Sequence, residues 1–124
     1  MKKEKSKEKE KKGKKRGRSL SVVGEEEQDA LLSHALQLVG GKWKLRILLV
    51  LGSAESLRYG EIRSRVAGIT DMMLSQSLKN LCASGLIQRQ QFQQIPPRVE
   101  YRLTEQASGA LEAAVKLCSW AKHL

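Results

Sequence analysis

Only two of the 124 residues are cysteine, Cys82 and Cys118, and only two are histidine, His34 and His123. Cysteines so few and so far apart exclude a disulfide scaffold and a four-ligand zinc site. Neither histidine has a paired carboxylate at ligand spacing, so no metal and no cofactor is expected. Aromatic residues are as scarce: one Phe, two Tyr and two Trp. That is too few for a base-stacking platform on single strands, which argues against an RNA-binding basic protein. No apolar run approaches the ~18–20 residues of a membrane helix; the richest, Leu45 to Leu51, is seven long. The charged N-terminus lacks the apolar stretch of a secretory signal. Nothing resembles a nucleophile–base pair or a carboxylate dyad on rigid elements, so an enzyme is not expected. What remains is a cytoplasmic protein without a membrane partner.

Charge is plentiful and uneven. Lys and Arg number 23 against 13 Asp and Glu, a formal net charge of +10. Residues 1–18 hold eleven basic and three acidic residues, a net of +8, and the other 106 hold twelve and ten, a net of +2. Between Met1 and Leu20 no apolar side chain offsets the entropy of ordering, so residues 1–19 read as a disordered basic tail. Such a tail is either a non-specific tether for polyanions or a solubilising arm. Residues 20–124 are enough for one domain with one modest core.

The body reads as helices, then a hairpin, then a helix. Glu25-Glu26-Glu27 suit a helix start, where negative charge meets the positive end of the dipole. Leu31, Leu32, Ala35, Leu36, Leu38 and Val39 repeat at helical spacing until Gly40-Gly41. A second helix starts near Lys42 and runs through Trp43, Ile47, Leu48 and Leu51. A third short helix fits Tyr59 to Val66. Thr70 is an N-cap for a fourth, with Asp71 in its first turn, Leu74, Leu78 and Leu81 as its buried stripe and Gly85 as its stop. The period then changes. Leu86 to Phe92 is strand-like, Pro96-Pro97 breaks it, and Arg98 to Leu103 alternates with Val99, Tyr101 and Leu103 on one face. Thr104 caps a last helix, apolar at Ala107, Leu111, Val115 and Cys118 and also at Ala110, Ala114, Leu117 and Ala121.

This order is that of a winged helix-turn-helix: mainly α with a small β-hairpin, flanked by N- and C-terminal helices suited to dimerisation. A major groove about 12 Å wide accepts one helix whose outward side chains reach base edges. Opposite its buried stripe the fourth helix carries Met72, Ser75, Gln76 and Lys79. Gln pairs bidentately with adenine, Ser with several bases, and Lys with guanine or a phosphate. Thr70, Asp71, Met72, Ser75, Gln76 and Lys79 are therefore the candidates for base readout. Lys42 and Lys44 open the second helix, where backbone N–H groups and positive side chains can hold a phosphate. Arg58 on the flank and Arg98 beside the hairpin tip complete the candidate backbone contacts. Gly40-Gly41-Lys42 is not a phosphate-binding P-loop, because Trp43 stands where Ser or Thr is needed and no strand precedes it. A solvated helix face would also be polar, and folds do not fix functions. The competing reading is a protein-interaction module whose tail alone touches nucleic acid.

The stretch from His34 to Glu105 resembles the HxlR-type transcriptional regulators, winged helices similar to the MarR group. Five pieces carry the likeness in order: Ala35 to Trp43; Arg58-Tyr59-Gly60-Glu61-Ile62; Gly68-Ile69-Thr70 with Met73 to Leu78; Gly85 to Arg89; and Pro96 to Glu105. The resemblance implies homodimers that bind an inverted repeat in double-stranded DNA, with the fourth helix in the major groove and the hairpin as wing. Two departures stand out. Many members carry a sensing cysteine just before the first helix, where this chain has Ala30. Their residues at the start of the reading helix are often a Gln-like donor and a basic residue, where this chain has Asp71 and Met72.

The last helix is apolar over more than one stripe, wider than its own domain needs. Leu31, Leu32, Leu36, Leu111, Val115 and Cys118 are the candidate dimer contacts, with Trp120 open between interface anchor and packed terminus. The alternative folds both outer helices back over their own domain. A cavity between the first helix and the reading domain is a place for a small-molecule effector, though no residue demands one.

Overall fold

The computed structural model describes residues 24–124; the basic tail, with both of its readings, lies outside the described residues. The elements follow in the order α1 (Glu25–Val39), α2 (Lys44–Gly52), β1 (Leu57–Arg58), α3 (Tyr59–Arg65), α4 (Asp71–Ala83), β2 (Ile87–Phe92), β3 (Arg98–Leu103) and α5 (Ser108–Ala121). A single 3-10 turn, Glu105–Ala107, precedes α5. Ala35–Leu124 form one compact unit, and the part of α1 before Ala35 belongs to a separate one.

Three apolar stripes meet in the core. From α2 come Ile47, Leu48 and Leu51, from α3 Ile62, and from α4 Leu74, Leu78 and Leu81. Leu57, Val66, Ile69, Leu86, Ile87 and Ala107 close the same cluster. Thr70 caps α4 as its sequence position requires, its hydroxyl oxygen accepting from the Met73 backbone N–H at 3.1 Å. Gly68 at φ +82 and Gly85 at φ +80 make the turns before and after α4 in a conformation that side chains disfavour.

The hairpin is real, and it is part of a three-stranded antiparallel sheet in the order β1-β3-β2. Leu57 pairs with Tyr101 and Arg58 with Glu100. A two-residue strand has no period of its own, so only its partner reveals it. Across the hairpin Ile87 faces Leu103, Arg89 faces Tyr101 and Phe92 faces Arg98. Residues opposite one another share a face, which puts Val99, Tyr101 and Leu103 together as their alternation predicts.

Two boundaries differ from expectation. α2 starts at Lys44 rather than near Lys42, because Gly41 is left-handed at φ +93 and Trp43 serves as the cap residue. Thr104 does not cap α5: its hydroxyl donates instead to the Gly85 carbonyl at 2.6 Å, tying the end of β3 to the turn after α4, and α5 begins four residues later.

α5 lies on α2 along one stripe. Ala107 and Ala114 are buried, Ala110 and Leu111 half-buried. A Cβ on Gly52 would come within 2.9 Å of Leu111 Cδ2, so α2 ends in the residue that permits this approach. Val115, Leu117 and Trp120 stay exposed beside that stripe.

Candidate nucleic-acid interface

α4 divides its surface cleanly. Leu74, Ser77, Leu78 and Leu81 are buried, and at 100° per residue the opposite arc holds Met72, Ser75, Gln76 and Lys79, all exposed. Met72 is 76% exposed, which no core argument explains; an uncharged thioether fits an apolar contact in a groove better than a solvated face. The helix thus brings four of the six predicted reading residues onto one side.

Asp71 and Thr70 sit at the helix start with their acceptors already engaged. Asp71 Oδ1 lies 2.8 Å from Arg63 Nε, and it accepts from the Tyr59 hydroxyl at 2.9 Å. The Tyr59 hydroxyl is also 3.3 Å from Ser75 Oγ. Two residues of α3 therefore grip the first turn of α4 and fix its angle to the rest of the domain. Arg63 was missed in the sequence as a partner because it reads as one of two outward arginines of a short helix.

Arg98 is held inside the wing. Its guanidinium carbon lies 4.1 Å from the centre of the Phe92 ring, and its Nε lies 3.1 Å from Glu100 Oε2, off the line of a straight hydrogen bond. Glu100 Oε1 in turn accepts from Ser56 Oγ at 2.8 Å. The stack braces the last strand pair before the tip, and the tip itself, Gln93, Gln94 and Ile95, is exposed to solvent. Arg58 is exposed at the start of α3, where its backbone N–H donates to Glu61 Oε1 at 2.8 Å.

At the start of α2, Lys42 Nζ lies 4.8 Å from the centre of the Trp43 ring and the Arg46 guanidinium lies 4.7 Å from it. Arg46 Nη2 also donates to the Ala67 carbonyl at 3.0 Å, bridging α2 to the turn before α4. Lys44 is half-buried and Lys42 exposed. The structure does not gather these two lysines with the α4 face into a single described contact; they form a separate basic corner around Trp43.

A cleft of about 370 Å³ opens between α4 and the sheet, lined by Tyr59, Ser75, Leu78, Lys79, Cys82, Arg89 and Tyr101. Arg89 and Tyr101 were not singled out in the sequence. Their signal was the strand register: once Arg89 faces Tyr101, its side chain shares the face that packs toward α4. Burial pushes the Cys82 thiol above its ordinary value, with the charge of Arg89 opposing more weakly.

The predicted dimer contacts fall into two groups. Leu31, Leu32 and Leu36 on α1 and Val115 on α5 are each more than half exposed, and Cys118 is exposed as well. Leu111 is partly spent against Gly52 within the subunit. Among the described residues no cluster of His, Cys, Asp and Glu could hold a metal ion, and no helix is long and apolar enough to cross a membrane.

Comparison with known proteins places this architecture. Residues 38–124 match the model of the HxlR-like helix-turn-helix family. An HTH-type transcriptional regulator of Halalkalibacterium halodurans is 40% identical over 93 residues, 75% of this chain and 82% of that protein. One from Methanothermobacter thermautotrophicus is 39% identical over 106 residues, 86% of this chain and 80% of that protein. The redox regulator HypR in its oxidised form superposes with a TM-score of 0.71 at 30% identity, covering 76% of this chain and 96% of that one. These relatives are named as regulators. With a helix-turn-helix DNA-binding domain completed by a wing, the chain belongs to the HxlR-like family of transcriptional regulators.

Proposed function

We propose that the chain works in the cytoplasm as a homodimer that reads an inverted repeat in duplex DNA. The observation that carries this reading is the α4 surface: one arc completes the core, and the other offers Met72, Ser75, Gln76 and Lys79 to solvent. Gln76 is the side chain on that arc with a bidentate amide, suited to the paired donor and acceptor of adenine in the major groove. Thr70 and Asp71 set the helix angle through the cap and the α3 grip. Lys42, Lys44 and Arg58 supply charge to the flanking backbone, and Arg98 orients the wing.

The dimer part of the reading rests on apolar surface. Leu31, Leu32, Leu36 and Val115 are too exposed to contribute to a subunit's own core. A twofold pairing would bury one such patch on both subunits and set two α4 helices ~34–36 Å apart, one turn of duplex. A thiol sensor is not part of the proposal. Ala30 stands where sensing members carry cysteine, and burial holds Cys82 away from the thiolate that oxidants attack.

Selection of bound sequences from random duplex pools, followed by titration of Gln76→Ala on the selected and a scrambled duplex, tests this. The expected result is a palindromic consensus and a tenfold or greater loss of discrimination, within the ~1–3 kcal/mol of one bidentate base contact. Equal weakening on both duplexes removes Gln76 from base readout. Absence of any consensus leaves the protein-interaction reading in its place.

A further inference from the structure

The cleft between α4 and β2 has a composition that the reading of bases does not use. Of its lining residues Lys79 and Arg89 are cationic, Tyr59, Ser75 and Tyr101 carry hydroxyls, and Leu78 and Cys82 form an apolar floor. Among the described residues no carboxylate lines it. The nearest, on Asp71, is neutralised by Arg63 at 2.8 Å and turned toward the Tyr59 hydroxyl. Two cations from different elements, on one side of a helix and on a facing strand, repel each other across an open cleft. An anion between them converts that repulsion into two charge-assisted hydrogen bonds.

The geometry points to a seat for one phosphate group of the DNA backbone in this cleft, held by Arg89 from the wing and Lys79 from the reading helix, with the Ser75 hydroxyl as a neutral donor. The inference rests on the proposed reading of duplex DNA and sharpens it. A helix in a major groove and a hairpin at the neighbouring minor groove straddle the one sugar–phosphate strand that separates the grooves. The space between helix and hairpin is where that strand has to pass. Arg89 is on the strand of the hairpin that faces α4, paired with Tyr101, and is exposed; its fork can take two oxygens of one phosphate. Lys79 then belongs to the backbone rather than to a base edge, and Met72 and Gln76, farther round the helix, are left to read sequence.

Cys82 on the floor makes the seat observable. Its alkylation by iodoacetamide at pH 8.5 is followed on the full-length protein by peptide mass spectrometry, which separates it from Cys118. The arms are the protein alone, a selected duplex, a scrambled duplex, and inorganic phosphate at matched ionic strength. Both duplexes are expected to slow Cys82 severalfold in proportion to their occupancy, and inorganic phosphate to do little. In parallel, Arg89→Gln and Lys79→Gln are each expected to weaken the selected and scrambled duplexes by the same factor. Each phosphate that loses its seat lowers the slope of log K against log salt by about 0.9, hence by up to about 1.8 for two subunits, with part of that drop in each single variant. An unchanged slope in both variants overturns the seat, as does Cys82 slowed by free phosphate but not by duplex. Either result leaves the proposed function standing if the wild-type protein still prefers its selected sequence; loss of that preference in the wild type sinks the function itself.

Discussion

α4 and α5 are close in length, 13 and 14 residues, and both are amphipathic, yet they use their apolar residues differently. α4 buries Leu74, Leu78 and Leu81, and of its large apolar residues only Met72 is exposed. α5 buries only Ala114 along its length and leaves Val115, Leu117 and Trp120 in solvent. The difference is one of stripe width. The stripe of α4 is as wide as the groove that α2, α3 and the sheet offer, so the helix is finished by its own subunit and its other face is free for a ligand. α5 has an apolar arc wider than α2 can cover: Ala110, Leu111 and Ala114 are its half-buried and buried residues, with Leu111 against Gly52. Val115, Leu117 and Trp120 are surplus to the subunit's own core. The proposed reading and pairing roles of the two helices thus rest on where their large side chains point.

The sharpest way to break that comparison is to truncate each helix at its characteristic residue. Leu74 is fully buried, so Leu74→Ala removes core atoms and leaves a cavity. The expected cost is about 2–5 kcal/mol of unfolding free energy, read from urea denaturation followed by circular dichroism. A change below 1 kcal/mol would mean that the α4 stripe is loosely packed and that its orientation toward DNA is not fixed by the core. Val115, by contrast, is 53% exposed. Val115→Glu is expected to leave the circular dichroism spectrum intact and to weaken self-association by tenfold or more, about 1.4 kcal/mol, in sedimentation equilibrium. Wild-type protein that sediments as a monomer at tens of micromolar, or a variant that associates as tightly as wild type, removes α5 from the interface.

The same contrast explains what could be read before any coordinates. α4 was legible from cap to stop because its period, its Thr70 cap and Gly85 all agree, and local consistency of this kind is what makes an element predictable. The hairpin followed from the change of period at Leu86. β1 was not legible, since Leu57 and Arg58 become a strand only by pairing with Tyr101 and Glu100. The role of Thr104 differs for a related reason: a hydroxyl before a helix suggests a cap, but this one is turned to donate to the Gly85 carbonyl, 19 residues away in sequence, and accepts from no helix N–H. Within the site, residue types on one helix were found and pairings between elements were not. Nothing local marks Arg63 as the partner of Asp71, or Arg98 as a brace between Phe92 and Glu100. Arg89 was half legible, because the alternation that groups Val99, Tyr101 and Leu103 assigns its face once the register is known.

The two cysteines carry the comparison to its smallest expected effect, one on each helix. Cys82 on α4 is half-buried, and burial raises its thiol above the ordinary value of 9.0, against a weaker pull from Arg89. Its folded form therefore keeps a proton that the unfolded chain releases. Between 9.0 and the raised value the unfolded state binds fewer protons, so stability is constant below this window, falls as pH rises through it, and levels off beyond. Cys118 on α5 is exposed in the single subunit, and its reactivity depends on whether a second subunit covers it. At pH 8 Cys82 is expected to react with iodoacetamide more slowly than a free thiol both in wild type and in Val115→Glu. Cys118 is expected to be slow only in the wild-type dimer and to speed up severalfold when Val115→Glu separates the subunits. Cys118 reacting at the free-thiol rate in both proteins would show that the α5 surface near it faces water in the assembly. The apolar surplus would then have to be buried nearer to Leu117 and Trp120, on the other flank of the same helix.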